Sequence, residues 1–387
     1  MPQMELTSRQ RVVKAINHQI PDRVPIDLGG FQTGIHKKAY KDLIDYLGFK
    51  EDIETLDAVQ QLAKPSEKVL ETLKVDTRYI CAKAPKSFDG TIKINERNGK
   101  LWHDLKDEFG VIWSMPDEQR LYMDISYHPL AEAAIEDIDE HPFPNGGEPD
   151  RFEGLREKAL ELRNETPYAI CTGIGGVVYE YCWYMRGLEK WFMDIAQNPK
   201  FCEKLLDKML RFWMDYYTGF LGEIGDLVEV IMIGDDLTGQ HGPLFSPDFY
   251  RTIVKPRQKT LVQHIKSLTN AKIWYHTCGA CKVYIPELID NGVDILNPIQ
   301  ISAEGMEPQA LKDEYGSKIV FWGGAIDTQH ILPFADAQTV RQEVKTNVEI
   351  FKKEGGYVFN NVHNIQAGVP AENIVEMYKA AYDYGGY

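Results

Sequence analysis

Cysteine is sparse, with six in 387 residues at positions 81, 171, 182, 202, 278 and 281. That is too few for a disulfide framework in a chain of this length, so reduced thiols are available for metal binding or catalysis. Positive charge is the minority sign. Forty-three lysines and arginines face 58 aspartates and glutamates, a net charge of −15. The acidic balance excludes a general nucleic-acid-binding surface and disfavours anionic membranes. No stretch approaches the ~18 apolar residues of a membrane span. Met1 to Ile20 carries charges throughout and has no apolar signal core. These absences predict a soluble, cytoplasmic protein with no nucleic acid or membrane among its partners. Hydrophobic residues at 43% and charged residues at 26% are ordinary globular values, which excludes a disordered or collagenous chain.

What is present is a rhythm of short β-branched runs alternating with amphipathic helical stretches, the pattern of a parallel sheet covered by helices. Strands are expected over 23–30, 75–82, 168–176, 227–237, 271–279, 293–300, 319–326 and 356–365. Eight such units close a (β/α)8 TIM barrel, and each run ends in Gly, Asp, Asn, His or Cys, where that architecture places its active site. Residues 31–74 read as helical and able to cap the mouth. Residues 83–150 read as an insertion after the second strand, a β-hairpin turning at Asn98-Gly99 and closed by the Pro/Gly-rich 141–149. No linker divides the chain, so one elaborated domain over 1–387 is expected.

Strand periodicity sharpens the candidate site. His276 and Cys278 are two apart at the end of the fifth strand, so both aim at one face. Imidazole nitrogen and thiolate sulfur are zinc's preferred ligands, and His363 at the end of the eighth strand faces the same mouth. Three protein ligands with a vacant fourth position describe a catalytic zinc. A buried His and Cys that merely pack are the plainer alternative. Cys281 completes a lone CxxC, read as a helix-start residue or a spare ligand.

Asp235 and Asp236 end the fourth strand. Adjacent side chains alternate, so one can meet substrate or metal while the other caps a turn. Gly173-Ile174-Gly175-Gly176 reads as backbone room for a ligand, and Glu180 beyond it as a carboxylate that can look into the mouth. Asn297, Gln300, Asp327 and Asn361, at later strand ends, are candidate substrate contacts. Tyr179, Tyr181, Trp183 and Tyr184 are too dense for one buried helical stripe, so some are expected to line a pocket.

At this point the chain resembles the uroporphyrinogen decarboxylase superfamily, from RVVKAINHQIPDRVPIDLGG to GVPAENIVEMYKAAYDYG. The phrases that carry the likeness are YHTCGACKVYIPELIDNGVDILNPIQ, FWGGAIDTQHILPF and FNNVHNIQAGVPAENI. The resemblance implies a (β/α)8 barrel with its cleft at the carboxyl ends of the strands. Within the superfamily, true decarboxylases carry an N-terminal arginine pair that grips carboxylates. Here that place reads Asp27-Leu-Gly-Gly-Phe-Gln-Thr-Gly, with no arginine. The cobalamin-dependent methyltransferase branch has a zinc site of His-x-Cys plus a later Cys seven residues before a Pro. This chain keeps His276-x-Cys278, and counting back from Pro370 gives His363 in place of that Cys.

The methyltransferase branch implies zinc, a corrinoid carried by a partner protein, and a small methoxylated or methylated compound as methyl donor or acceptor. Asp235, Asp236 and Glu180 are then the groups expected to position or protonate the substrate. Family analogy also allows a homodimer. A metal-free lyase of a small carboxylate is the alternative enzyme, and a binding-only barrel the alternative to an enzyme.

Overall fold

A computed structural model describes residues 5–173 and 177–387. At its centre, seven parallel strands follow one another in chain order. They are β1 (Thr77–Ile80), β2 (Ala169–Gly173), β3 (Val230–Gly234), β4 (Lys272–His276), β5 (Ile295–Asn297), β6 (Val320–Trp322) and β7 (Tyr357–Val358). The ring closes through the segment expected as the first strand. Ile26 forms a parallel bridge with Phe359. The Asp27 N–H donates to Phe359 at 3.0 Å, and the Asp76 N–H donates to Ile26 at 2.7 Å. The eighth strand is thus reduced to one bridge, because Pro25 has no N–H to extend a ladder. The closed parallel sheet with helices outside is a (β/α) barrel.

Residues along each strand alternate between two cores, as a pleated sheet requires. Cys171, Met232, Trp274, Ile295, Trp322 and Val358 point into the barrel. Ile170, Ile231, Ile273, Leu296, Phe321 and Tyr357 pack outward against the helices. The Trp274 and Trp322 rings stack with centroids 4.9 Å apart and fill the interior. Val12, Ala15 and Ile16, from and just after the N-terminal helix Ser8–Ala15, join the interior core. This helix seals the barrel at the end away from the strands' carboxyl termini, so the opposite end is left for chemistry.

Two expectations change in detail. Residues 31–74 hold helices Lys37–Tyr46 and Glu67–Thr72. Between and around them lies a small antiparallel sheet of Ile35–His36, Thr55–Asp57 and Leu62–Ala63. The insertion after β1 is a four-stranded antiparallel sheet rather than one hairpin, built from Lys93–Arg97, Lys100–Lys106, Ile112–Pro116 and Asp124–Tyr127. Its first turn is the expected one, with Asn98 and Gly99 at φ of 52° and 73°, the left-handed pair of a two-residue hairpin. The additional strands lack a two-residue Gly turn, which is why the alternation alone stopped at the hairpin. Among the described residues, no helix is long and apolar enough to cross a membrane.

Candidate active site

A cavity of 610 Å³ opens at the carboxyl ends of the strands. His276, His363 and Asp236 reach it from the barrel. Trp113 and Ile125 reach it from the inserted sheet, Tyr122 from the loop between its last two strands, and Tyr181 and Tyr184 from helix Glu180–Arg186. The insertion is therefore a wall of the site.

The strand register explains why these groups meet. Gly234 on β3 pairs with His276 on β4, which pairs with Asn297 on β5. All three lie on the interior face. A Cβ on Gly234 would stand 2.7 Å from the His276 Cβ and 2.3 Å from its carbonyl oxygen, so only glycine leaves room there. Two residues on, Cys278 shares the face of His276, and its Sγ lies 3.4 Å from His276 Nε2. One ligand atom each from His276, Cys278 and His363 fall within 4.8 Å of one another.

The surroundings prepare this cluster unequally. The Asn297 amide nitrogen donates to the Trp322 carbonyl at 2.8 Å, which turns its oxygen toward His276 Nδ1 at 2.6 Å. That oxygen can only accept, so Nδ1 carries the imidazole proton and Nε2 presents a lone pair toward Cys278. Burial holds the His276 pKa down at about 4, so the ring is neutral. His363 sits at φ 59°, a left-handed backbone that turns its side chain back over the barrel. Burial and the neighbouring His276 lower its pKa to about 3. Its Nδ1 accepts the Asn364 N–H at 2.7 Å. The neutral ring therefore carries its proton on Nε2 and must turn or release it to act as a ligand. Burial, with the Asp236 and Glu180 carboxylates nearby, pushes the Cys278 thiol well above its ordinary range. Two neutral imidazoles and a thiol that only a cation would ionise suit a divalent ion of zinc's preferences.

Asn297 thus orients a ligand rather than lining the cavity. Asn297→Ala is expected to weaken the cluster's affinity for added zinc about 10- to 100-fold if His276 is a donor, the usual effect of removing an outer partner of a metal-binding His. Chelator competition measures this, and an unchanged affinity would remove Asn297 from that role.

The two adjacent aspartates separate as strand alternation requires. Asp236 lines the cavity and accepts the Cys278 N–H at 2.7 Å. Asp235 turns outward and is fully buried. It accepts the Tyr179 and Glu180 N–H groups at 2.8 and 3.0 Å and the Gln258 amide at 2.9 Å. Burial raises its pKa to about 7. It caps the helix that carries Glu180 and does not reach the cavity. Glu180 does line it, hydrogen-bonded to Tyr184. Burial first and the Asp236 and Asp235 carboxylates next push Glu180 well up, and burial raises Asp236 as well. Burial thus opposes ionisation of both carboxyl groups, and for Glu180 the neighbouring carboxylates add to it, which favours its protonated form.

The other sequence candidates support the site from outside it. The Gln300 side-chain oxygen accepts the Gly279 N–H at 2.7 Å and pins the turn after Cys278. Asp327 accepts the Gln329 and His330 N–H groups at 2.7 and 3.1 Å, capping its own loop. The Asn361 amide donates to the His363 carbonyl and shapes the left-handed turn. None of the three lines the cavity, because each strand-end polar group is spent on a local turn. Cys281 is buried at the start of the helical turn Cys281–Tyr284 and lies outside the donor cluster. Of the Gly-rich motif, residues 174–176 lie outside the described residues. Tyr181, Trp183 and Tyr184 line the cavity, whereas Tyr179 packs on Trp191 and Phe245. Gln32, Asp57, Gln60, Trp113 and Tyr122 also line it, and sequence reasoning did not single them out. Gln32, Gln60 and Tyr122 lie on loops, and Asp57 and Trp113 on short strands outside the barrel, so no strand-end position marked them.

The family model for uroporphyrinogen decarboxylase (URO-D) matches residues 124–384. A curated uroporphyrinogen decarboxylase of Ruthia magnifica subsp. Calyptogena magnifica is 24% identical over 232 residues, which is 58% of this chain and 62% of that protein. The chain thus spans less than two thirds of that relative's length. Among solved structures, a methyltransferase from Methanosarcina mazei superposes with a TM-score of 0.63 at 17% identity, over 98% of this chain and 99% of that one. A likeness at that identity speaks to the fold and not to the reaction.

Proposed function

The chain belongs to the uroporphyrinogen decarboxylase family, and from that premise we propose that it is a zinc-dependent methyltransferase. It moves a methyl group between a small methylated or methoxylated compound and the corrinoid of a separate carrier protein. One observation carries the reading. A His/Cys/His donor cluster meets at the cavity, and among the described residues no lysine or arginine lines it. Decarboxylation of a carboxylate substrate needs cationic groups to hold that carboxylate, and this wall offers only carboxylates of its own.

His276, Cys278 and His363 would hold the ion with a fourth position left for a substrate atom. When bound there, zinc supplies Lewis-acid polarisation of a substrate oxygen, or lowers the pKa of a bound thiol. The chain's own residues do the rest. Glu180, whose protonated form burial and like-charged neighbours favour, can supply the proton that a methoxy compound's leaving oxygen requires, because an alkoxide leaves poorly. The aromatic wall keeps bulk water from the reacting methyl group. Tyr122 and Leu188 line the cavity yet are 41% and 44% exposed, an apolar rim against which a carrier protein can rest.

The test supplies 13C-methyl donors together with reduced corrinoid and follows the label by NMR. Label appearing on the corrinoid is the expected result. Release of CO2 from carboxylate substrates with no methyl movement would overturn the reading in favour of a lyase.

A further inference from the structure

We propose that the methyl donor is a cation, an N-methylated ammonium compound. This rests on the methyl-transfer reading above and narrows its substrate class.

The first observation is the sign of the cavity wall. Asp57, Asp124, Glu180 and Asp236 all line it, with no lysine or arginine among the described lining residues. Elsewhere in the protein, three buried carboxylates have guanidinium partners, while Asp27 and Asp235 are held by neutral donors. Asp76 pairs with Arg11 and Arg23, Asp194 with Arg186, and Glu229 with Arg163. Even a divalent ion bound by Cys278 leaves the cavity net negative. A cavity whose charged lining is carboxylate favours a ligand of the other sign.

The second observation is aromatic. Trp113 meets Tyr184 at 5.2 Å with the rings at 80°, and Trp183 meets Tyr184 at 4.3 Å and 79°. All three line the cavity. Rings set at right angles in one wall make a corner rather than a stack. Such corners, backed by carboxylates, are how proteins hold methylated ammonium groups, whose spread charge suits π faces better than a salt bridge. The third is an orphan. The Gln32 side-chain oxygen is buried at the same wall with no hydrogen-bond donor. An acceptor without a donor suits the electropositive methyl shell of an ammonium ion.

Atoms and electrons balance, and an ion at the His/Cys/His cluster would be left to hold a polar group elsewhere on the donor, such as a hydroxyl. In a quaternary donor the C–N bond breaks with its electron pair staying on nitrogen, so a neutral tertiary amine leaves. The methyl carbon takes its new pair from the reduced corrinoid, the nucleophile of the proposed reaction. No proton is needed on the leaving atom, and the carboxylates act as counter-charge to the bound donor.

The experiment measures binding of choline and of its neutral isostere 3,3-dimethylbutan-1-ol to the zinc-loaded protein. Calorimetry reports affinity, and loss of the ligand-induced tryptophan fluorescence change in Trp183→Leu reports location. Choline is expected to bind at least about tenfold more tightly, the ratio that ~1.4 kcal/mol of cation–π and charge attraction gives. Asp57→Asn, which keeps the shape, and Trp183→Leu should each reduce that ratio severalfold. Circular dichroism verifies that both variants are folded. Equal binding of the two compounds, or tighter binding of the alcohol, would overturn the proposal. Demethylation of a neutral methoxy compound with no choline binding would overturn it too, while leaving methyl transfer standing. Choline bound at the expected ratio with no methyl movement would support the cation site and count against methyl transfer instead.

Discussion

In Cys278→Ala, zinc affinity falls by roughly a thousandfold and methyl transfer is lost, while the fold persists. A zinc site is worth on the order of 12 kcal/mol, so removing one of three protein ligands costs about 4 kcal/mol, three powers of ten. The fold survives because Cys278 lies beyond β4, and the barrel core beneath is built from Trp274, Trp322 and their neighbours. His276→Ala should behave the same way, since its Nε2 is the lone pair oriented toward Cys278. His363→Cys should keep the metal. Its imidazole already spends Nδ1 on the Asn364 N–H, so a thiolate there loses no prepared geometry and adds a stronger donor. Elemental analysis after dialysis reads all three variants. Full zinc content in both alanine variants would remove the cluster from the account.

Glu180→Gln lowers kcat/KM about 100-fold or more with zinc content unchanged, the usual scale for losing a positioned acid. The substitution keeps the size and the acceptor for Tyr184 but removes both the exchangeable proton and the negative charge. Where the loss falls distinguishes the carboxylate's two roles. With an ether donor it falls on kcat, because the leaving oxygen goes unprotonated. With a cationic donor it falls on KM, because a counter-charge is missing. Asp236→Asn should lose less, since the amide oxygen still accepts the Cys278 N–H. For the ether reaction the pH dependence has a definite sign. Burial and the like-charged neighbour raise Glu180, so its proton persists well above the ordinary carboxylate range, and rate declines only as pH rises through that raised value. Glu180→Gln with unaltered kcat/KM for every donor would dismiss both roles.

The legible part of this protein was what repeats. Runs of alternating or continuous apolar residues, each closed by Gly, Asp or His, placed seven of the eight barrel strands. The same period of two placed His276 and Cys278 on one face and set Asp235 and Asp236 on opposite sides. Chain order hid the pairings made by tertiary packing. Asp235 looked as functional as Asp236 until its oxygens were seen capping the Glu180 helix. Asn297, Gln300 and Asn361 sit where a barrel expects ligand contacts. Their amides instead hold His276, the turn after Cys278 and the His363 backbone. The inserted sheet was visible as a hairpin, but its placement over the mouth, which makes Trp113 and Tyr122 part of the wall, depends on folding at long range.

The most direct test of the account is methyl transfer to a reduced corrinoid measured as metal-stripped protein is titrated with zinc. Activity should rise in proportion to bound zinc and level off at one equivalent per chain. Full activity in the stripped protein, unchanged by added zinc, would contradict it.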